Sequence, residues 1–180
     1  MAAVKAFINA IISKTGYQLC KANTDGNRRA FVQKAILDWK PNGRILELGA
    51  VDGWISSHFA DVTTFNQEGT PDVKGDLHAL SSYFAEPFDT VICTEVFEHT
   101  KDPLRAIMEI RKVLKPGGVF IGSAPCATDL HGEEYGDYWR ITPQGWAQLL
   151  SGFSAVEMRK LGTHPAVRHI AVRACGLAQI

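Results

Sequence analysis

The sequence predicts a doubly wound α/β fold: a mostly parallel sheet, helices on both faces, and an antiparallel last strand. Two observations carry this. Short apolar strands alternate with helical stretches from residue 44 to residue 150, the rhythm of strand–crossover–strand units. The last two strands, Phe153–Leu161 and Val167–Ala174, have only a few residues between them. That is too short for a crossover helix, so the pair closes as a hairpin.

The elements follow in order. Val4, Phe7, Ile8, Ile11 and Ile12 fall at helical spacing and give the first residues one apolar face. Lys5 and Asn9 interrupt the run and no small-residue cleavage site follows, so a signal peptide is a poor match. The default is a helix lying on the domain or on a partner, with weak peripheral membrane contact as the alternative. Asp25-Gly26-Asn27 is a turn. We therefore read residues 1–27 as a helical extension and residues 28–180 as one domain. Arg28–Trp39 is a helix with Phe31, Val32, Ala35 and Ile36 on one side, ended by Pro41-Asn42-Gly43. Strands are expected at Arg44–Leu48, Val62–Phe65, Val73–Lys74, Asp89–Cys93 and Val119–Ser123, and helices at Trp54–Ala60 and, weakly, at Leu77–Phe84. Pro103–Leu114 is a strong helix: Asp102 can cap it, Pro103 suits its first position, and Pro116-Gly117-Gly118 stops it. Thr142–Leu150 opens on Thr-Pro and is the last helix.

Composition narrows the function. With 180 residues, 46% apolar and 21% charged, the chain suits one globular domain. No stretch reaches the roughly 18 apolar residues of a membrane span. Four scattered cysteines without CxxC argue against a disulfide framework or structural zinc, and for a reducing, cytoplasmic setting. Net charge is zero, which argues against a generic nucleic-acid binder. The charge is unevenly spread: residues 44–102 carry 3 Lys/Arg against 11 Asp/Glu, whereas residues 1–43 carry 7 against 2. An acidic segment suits a cationic ligand, although solvated charged faces look the same in sequence.

The acidic segment holds the most informative motif, Ile45-Leu46-Glu47-Leu48-Gly49-Ala50-Val51-Asp52-Gly53. It is a strand ending in a glycine turn that leads into a helix. In doubly wound sheets the ligand crevice lies beyond the carboxyl ends of the strands. Gly49 permits a tight turn there, and Gly53 lets the next helix start close to a ligand. Glu47 stands two residues before the first glycine. A loop cradling pyrophosphate gains no obvious benefit from a carboxylate; a ligand with an ammonium group and no phosphate does.

Three segments together, ILELGAVDG (45–53), DTVICTEVFEHTKDP (89–103) and VLKPGGVFIGS (113–123), resemble the class I S-adenosylmethionine-dependent methyltransferases of small-molecule metabolism. The resemblance runs from about Arg28 to Ala174. It implies a Rossmann-like seven-stranded sheet with an antiparallel last strand, and residues 28–180 as a single methyltransferase domain. It implies S-adenosyl-L-methionine as cofactor. Glu47 then sits near the cofactor's amino-acid end, with Gly49, Ala50, Val51 and Gly53 against it. Asp76 matches the acid that binds the adenine amino group, and Leu77 lies beside the ring. Thr94 and Glu95 line the cofactor near its sulfonium.

Two positions depart from the family. Val51 replaces a middle glycine, and a β-branched residue does not readily take positive φ. The family's strand-two acid, which grips the ribose hydroxyls, is absent; Asn66 stands there, with Glu68 two residues on. These departures keep an alternative in play, a weak or inactive methyltransferase-like domain that binds a ligand or partner. An NAD-dependent oxidoreductase shares the layered fold, but its GxGxxG is missing.

The acceptor is expected over the loops after strands four and five. Residues 124–141 form a long loop dense in binding groups, and loops of this length are usually lids or sites. Its His-Gly and Asp-Tyr-Trp-Arg run resembles a subgroup linked to saccharide metabolism, so a small-molecule or saccharide acceptor is expected. Methyl transfer is an in-line displacement that needs alignment, and a base only where the acceptor loses a proton. His131 is the candidate base, with His99 in reserve. Their structural alternatives are a loop-pinning hydrogen bond and a strand cap. Tyr138 and Arg140 are the acceptor-binding candidates, against an Arg140 paired with Asp137 or Glu134. Trp139 is read as packing. No metal site is expected: Cys126 and His131 lack a matching cysteine, and His164 and His169 lack ligand spacing.

Overall fold

In the computed structural model, which describes residues 26–50, 52–132, 134–161 and 169–177, the apolar runs of the sequence become one seven-stranded sheet. The described elements are helix α1 (Gly26–Trp39), strand β1 (Ile45–Leu48), helix α2 (Trp54–His58), strands β2 (Val62–Asn66), β3 (Val73–Lys74) and β4 (Phe88–Thr94), helix α3 (Pro103–Val113), strand β5 (Leu114–Pro125), helix α4 (Pro143–Leu149), and strands β6 (Phe153–Leu161) and β7 (His169–Leu177). Short 3₁₀ segments at Leu77–Ser82 and Phe97–His99 complete the connections. Residues 1–25, which include the amphipathic N-terminal stretch, lie outside the described residues, as do Val51, Glu133 and His164.

Strand order is β3-β2-β1-β4-β5-β7-β6. Pairings from β3 across to β5 are parallel, and β7 runs antiparallel to both β5 and β6, as the short final connection requires. The order reverses between β1 and β4. This switch point opens a crevice beyond their carboxyl ends. Two apolar clusters cover the two faces. Leu46, Phe88, Val91, Ile107, Ile110, Phe120 and Trp146 pack on the α3/α4 side; Val32, Ile36, Ile45, Ile92 and Ile121 pack on the α1 side. Alternate residues of β1 and β4 thus face opposite clusters, so both strands are largely apolar on both faces, with Glu47 as the acidic exception within β1.

Several boundaries shift from the sequence expectation, and three of the shifts have a clear local cause. The Leu77–Phe84 helix is a 3₁₀ segment ending at Ser82, broken at Ala79 (φ −129°), and only Leu80 is buried in it. One apolar anchor per turn is too little to hold an α-helix. The helix expected to reach Ala60 ends at His58, because Phe59 turns extended. Helix α3 stops at Val113, and Leu114 already pairs with Phe88 as the first residue of β5. Pro116-Gly117-Gly118 therefore forms an irregularity within β5, between Leu114 and Val119, rather than the helix stop itself. The caps behave as expected: Asp102 accepts from the Arg105 amide at 2.9 Å, and the Thr142 hydroxyl from the Gly145 amide at 3.1 Å.

Candidate functional site

Beyond β1 the backbone is shaped by two glycines in the left-handed region. Gly49 has φ +76°, and a Cβ there would strike the Val96 side chain that follows β4. The loops of the two switch-point strands therefore meet face to face. Gly53, at φ +67°, starts α2 and has nothing within 4 Å of where a Cβ would stand. It faces open space.

Glu47 lies one strand position before Leu48, 8% exposed. Its Oε2 has no hydrogen-bond partner among the described residues. Burial, together with the nearby Asp52 carboxylate, raises its pKa from 4.5 to about 7. Asp52 itself accepts from the Trp54 amide at 3.1 Å and pairs with Arg29 at 3.0 Å, so it shapes the loop. Asn66, at the end of β2, donates to the Ala50 carbonyl at 3.2 Å and accepts from the Gln67 amide at 2.8 Å. Its amide thereby ties the β2 end to the loop after β1. Glu68 is exposed.

Asp76 caps the 3₁₀ segment, its Oδ1 accepting from the His78 amide and facing His78 Nδ1, both at 2.9 Å. The amide hydrogen bond holds its carboxyl below the usual range. Leu77, beside it, is half-buried against the α3/α4-side core. At the end of β4, Thr94 is half-buried and Glu95 takes φ +56°, a strained conformation for a non-glycine residue. Two neighbours hold it there: Ser123 Oγ donates to Oε1 at 2.7 Å, and His169 Nε2 stands 3.0 Å from Oε2.

The loop after β5 folds over the loop after β4. The amides of Tyr138 and Trp139 both donate to the Glu98 carbonyl, and Trp139 Nε1 donates to the Thr100 carbonyl at 2.8 Å. Asp137 is the organiser. It accepts from the His131 amide at 2.8 Å and makes a two-point contact with Arg140 at 2.5 and 2.6 Å. The Arg140 hydrogen bonds, foremost, hold its carboxyl far below the usual range. Arg140 also donates to the carbonyls of Thr128, Asp129 and Trp139, which commits its guanidinium to the loop. Tyr138 is 51% exposed, with its ring lying over Gly136.

Under this loop His99 and His131 meet edge to face, with ring centres 5.2 Å apart. Their Nε2 atoms stand 3.8 and 3.7 Å from Oε1 of Glu98, whose side chain is fully buried. Sequence reasoning named His131 as the candidate base and His99 in reserve, but gave no role to Glu98, nor to Ser123 and His169 around Glu95. The adjacent Glu98-His99 pair was the one available signal. Ser123 is brought to Glu95 by the parallel pairing of β5 with β4, and His169 by the pairing of β7 with β5, neither of which shows in the local sequence around Glu95.

A family model described as a methyltransferase domain matches residues 22–164. The ubiquinone biosynthesis O-methyltransferase of Histophilus somni (strain 2336) is 43% identical over 51 residues, 28% of this chain and 21% of that protein. The corresponding Paracidovorax citrulli (strain AAC00-1) protein is 36% identical over 55 residues, 29% of this chain and 23% of its own length. The chain thus spans about a fifth of the length of these curated relatives. Among solved structures, the N-methyltransferase NodS of Bradyrhizobium japonicum WM9 with S-adenosyl-L-homocysteine superposes with TM-score 0.62 at 19% identity, covering 83% of this chain and 85% of that one. The 1,6-didemethyltoxoflavin-N1-methyltransferase of Burkholderia thailandensis, with 1,6-didemethyltoxoflavin and S-adenosylhomocysteine, gives 0.65 at 17% identity, covering 84% and 78%. The chain belongs to the methyltransferase domain family and has the Rossmann-like fold of the class I S-adenosylmethionine-dependent enzymes.

Proposed function

We propose that this chain transfers a methyl group from S-adenosyl-L-methionine to a small-molecule acceptor, of which a saccharide is the class its loop sequence favours. One observation carries the reading. At the switch point, the buried Oε2 of Glu47 has no hydrogen-bond partner among the described residues, on the strand whose following turn ends at Gly53, a glycine that faces open space. A buried carboxylate in that state costs free energy, and an ammonium group laid against it removes the cost. The residues present fit the cofactor's amino-acid end on that ground.

The cofactor, when bound, supplies a methyl group made electrophilic by the adjoining sulfonium. This chain supplies the rest. Glu47, Gly49, Ala50 and Gly53 hold the amino-acid end, and Val51 keeps its sequence assignment there. Asp76 and Leu77 take the adenine, with Asn66 toward the ribose. Thr94 and Glu95 border the sulfonium, and the strain at Glu95 fits a position set by Ser123 and His169 rather than by local preference. The loop after β5 shields the acceptor from water and fixes its angle of approach. Acceptor-facing work falls to His131, His99 and Tyr138, while Arg140 acts by holding the loop. The acidic segment surrounding the crevice suits a cationic donor.

No helix among the described residues is long and apolar enough to cross a membrane. We infer a cytoplasmic setting from the scattered cysteines, of which Cys93, Cys126 and Cys175 are free thiols. The test is transfer of radiolabelled methyl from S-adenosylmethionine to a panel of hydroxyl-bearing saccharides and small amines. Label in an acceptor at a rate that falls on Glu47→Ala supports the reading. No transfer, together with no binding of S-adenosylhomocysteine at sub-millimolar concentration, overturns it.

A further inference from the structure

We propose that Glu98, His99 and His131 form a site for a divalent transition-metal cation of the zinc type, at the seam between the loops after β4 and β5. One oxygen or nitrogen of each residue lies within 4.8 Å of the others. The edges from Glu98 Oε1 to the two Nε2 atoms are 3.7 and 3.8 Å. These are too long for hydrogen bonds. They are slightly longer than the roughly 3.3–3.6 Å edges of a tetrahedral site with bonds of about 2.0–2.2 Å, and shorter than twice that bond length.

The ring tautomers support the same assignment. His99 Nδ1 lies 2.5 Å from the Gly136 carbonyl oxygen. A carbonyl only accepts, so Nδ1 carries the proton, and in the neutral ring Nε2 turns a lone pair toward Glu98. His131 Nδ1 stands 3.3 Å from the Asp129 carbonyl oxygen, with the Asp137 carboxylate at 3.7 Å. Its Nε2 is presented in the same way. Outer hydrogen bonds from Nδ1 to carbonyl or carboxylate oxygens are the arrangement that orients metal-bound histidines.

Charge is consistent with this. Glu98 is fully buried and brings a carboxylate to the set, and Arg140, held by its two-point contact with Asp137, interacts with it electrostatically. Two imidazoles and one carboxylate favour zinc or a similar first-row ion over magnesium, which prefers oxygen ligands. Three protein ligands leave a fourth position open.

The inference rests on the proposed acceptor site and sharpens it. The open position takes an oxygen of the acceptor, so the acceptor class is one with a hydroxyl or carboxylate able to bind the ion. His99 and His131 then work as ligands that orient the acceptor, and the ion pins the long loop to the end of β4.

The test uses the full chain, stripped with a chelator. It is titrated with zinc chloride by calorimetry, with magnesium chloride as control and cobalt(II) as spectroscopic probe. The expected result is one zinc site of micromolar or tighter affinity, visible cobalt bands, and at least about tenfold weaker zinc binding in His131→Ala and in His99→Ala. His131 is partly exposed, so its variant is expected to fold, with circular dichroism as the check. Absence of zinc binding, or binding unchanged in His131→Ala, overturns the proposal. Titration of the same samples with S-adenosylhomocysteine separates the two readings. Homocysteine derivative bound without a zinc site overturns the cation site alone. Zinc bound through His131 without the homocysteine derivative supports the cation site and overturns methyl transfer.

Discussion

Glu47→Gln separates stability from function at one residue. The carboxyl is raised from 4.5 to about 7, mainly by burial and secondarily by Asp52. That displacement corresponds to about 3 kcal/mol between protonation states. The sign follows from which state binds the proton more tightly. Below pH 4.5 Glu47 is protonated in both folded and unfolded chains and carries no penalty. As pH rises, the unfolded chain ionises first. The folded state then loses stability progressively, reaching about 3 kcal/mol once pH passes 7. Glutamine has nearly the same shape and no charge, so it escapes the penalty. Urea unfolding of both proteins, without ligand, should show the difference in unfolding free energy moving in favour of Glu47→Gln by about 3 kcal/mol between pH 4.5 and pH 8. The comparison across pH removes the constant cost of a buried amide. A difference that stays flat with pH refutes the burial argument, and with it the reason for placing an ammonium there.

Other expectations follow from the same contacts. Gly49→Ala combines positive φ with a clash against Val96 and should destabilise by about 2 kcal/mol in chemical denaturation, whereas Gly53→Ala faces open space and should cost about 1 kcal/mol while weakening cofactor binding. Asp137→Asn removes the charge that Arg140 is bound to and should cost about 2 kcal/mol, less than a fully buried pair because Arg140 is partly exposed; limited proteolysis should then cut within residues 126–141. The folded-state pKa of Asp137 lies far below the ordinary carboxylate range, and that of Glu109 falls to about 2, against burial, through hydrogen bonds from Lys112 and Ser81. Their stabilisation is complete above about pH 5, begins to fade as pH falls through the ordinary carboxylate range, and is lost as pH drops to the lowered folded values, so thermal scans should show the deficit of Asp137→Asn shrinking with acidification.

The layered fold was legible because strand period, helix caps and the short final connection are local signals. Asp102 and Thr142 cap the helices that the sequence assigned to them. The 3₁₀ segment at Leu77–Ser82 escaped because one buried leucine gives no period to read. Within the site, the turn glycines and Glu47 stand together on one strand–turn–helix unit, so their proximity is written in consecutive residues. Arg140 could be read in two ways from sequence; its two-point contact with Asp137 depends on how the loop closes. His169 reaches Glu95 only because β7 inserts between β5 and β6, a tertiary event with no local trace. Glu98 was hidden for a related reason: a glutamate beside a histidine looks solvated until the loop after β5 covers it.

In the proposed function, Glu47 receives a ligand's ammonium group at the switch point. The most direct measurement is the proton count on binding S-adenosylhomocysteine at pH 7, from calorimetry in buffers of different ionisation enthalpy. A carboxyl with pKa about 7 is half protonated there. Pairing with an ammonium ionises it, so binding should release about half a proton per site. Glu47→Gln should bind at least about tenfold more weakly and release none. Equal affinity in the two proteins, or binding to the unsubstituted protein without proton release, contradicts the placement of the ammonium group at Glu47.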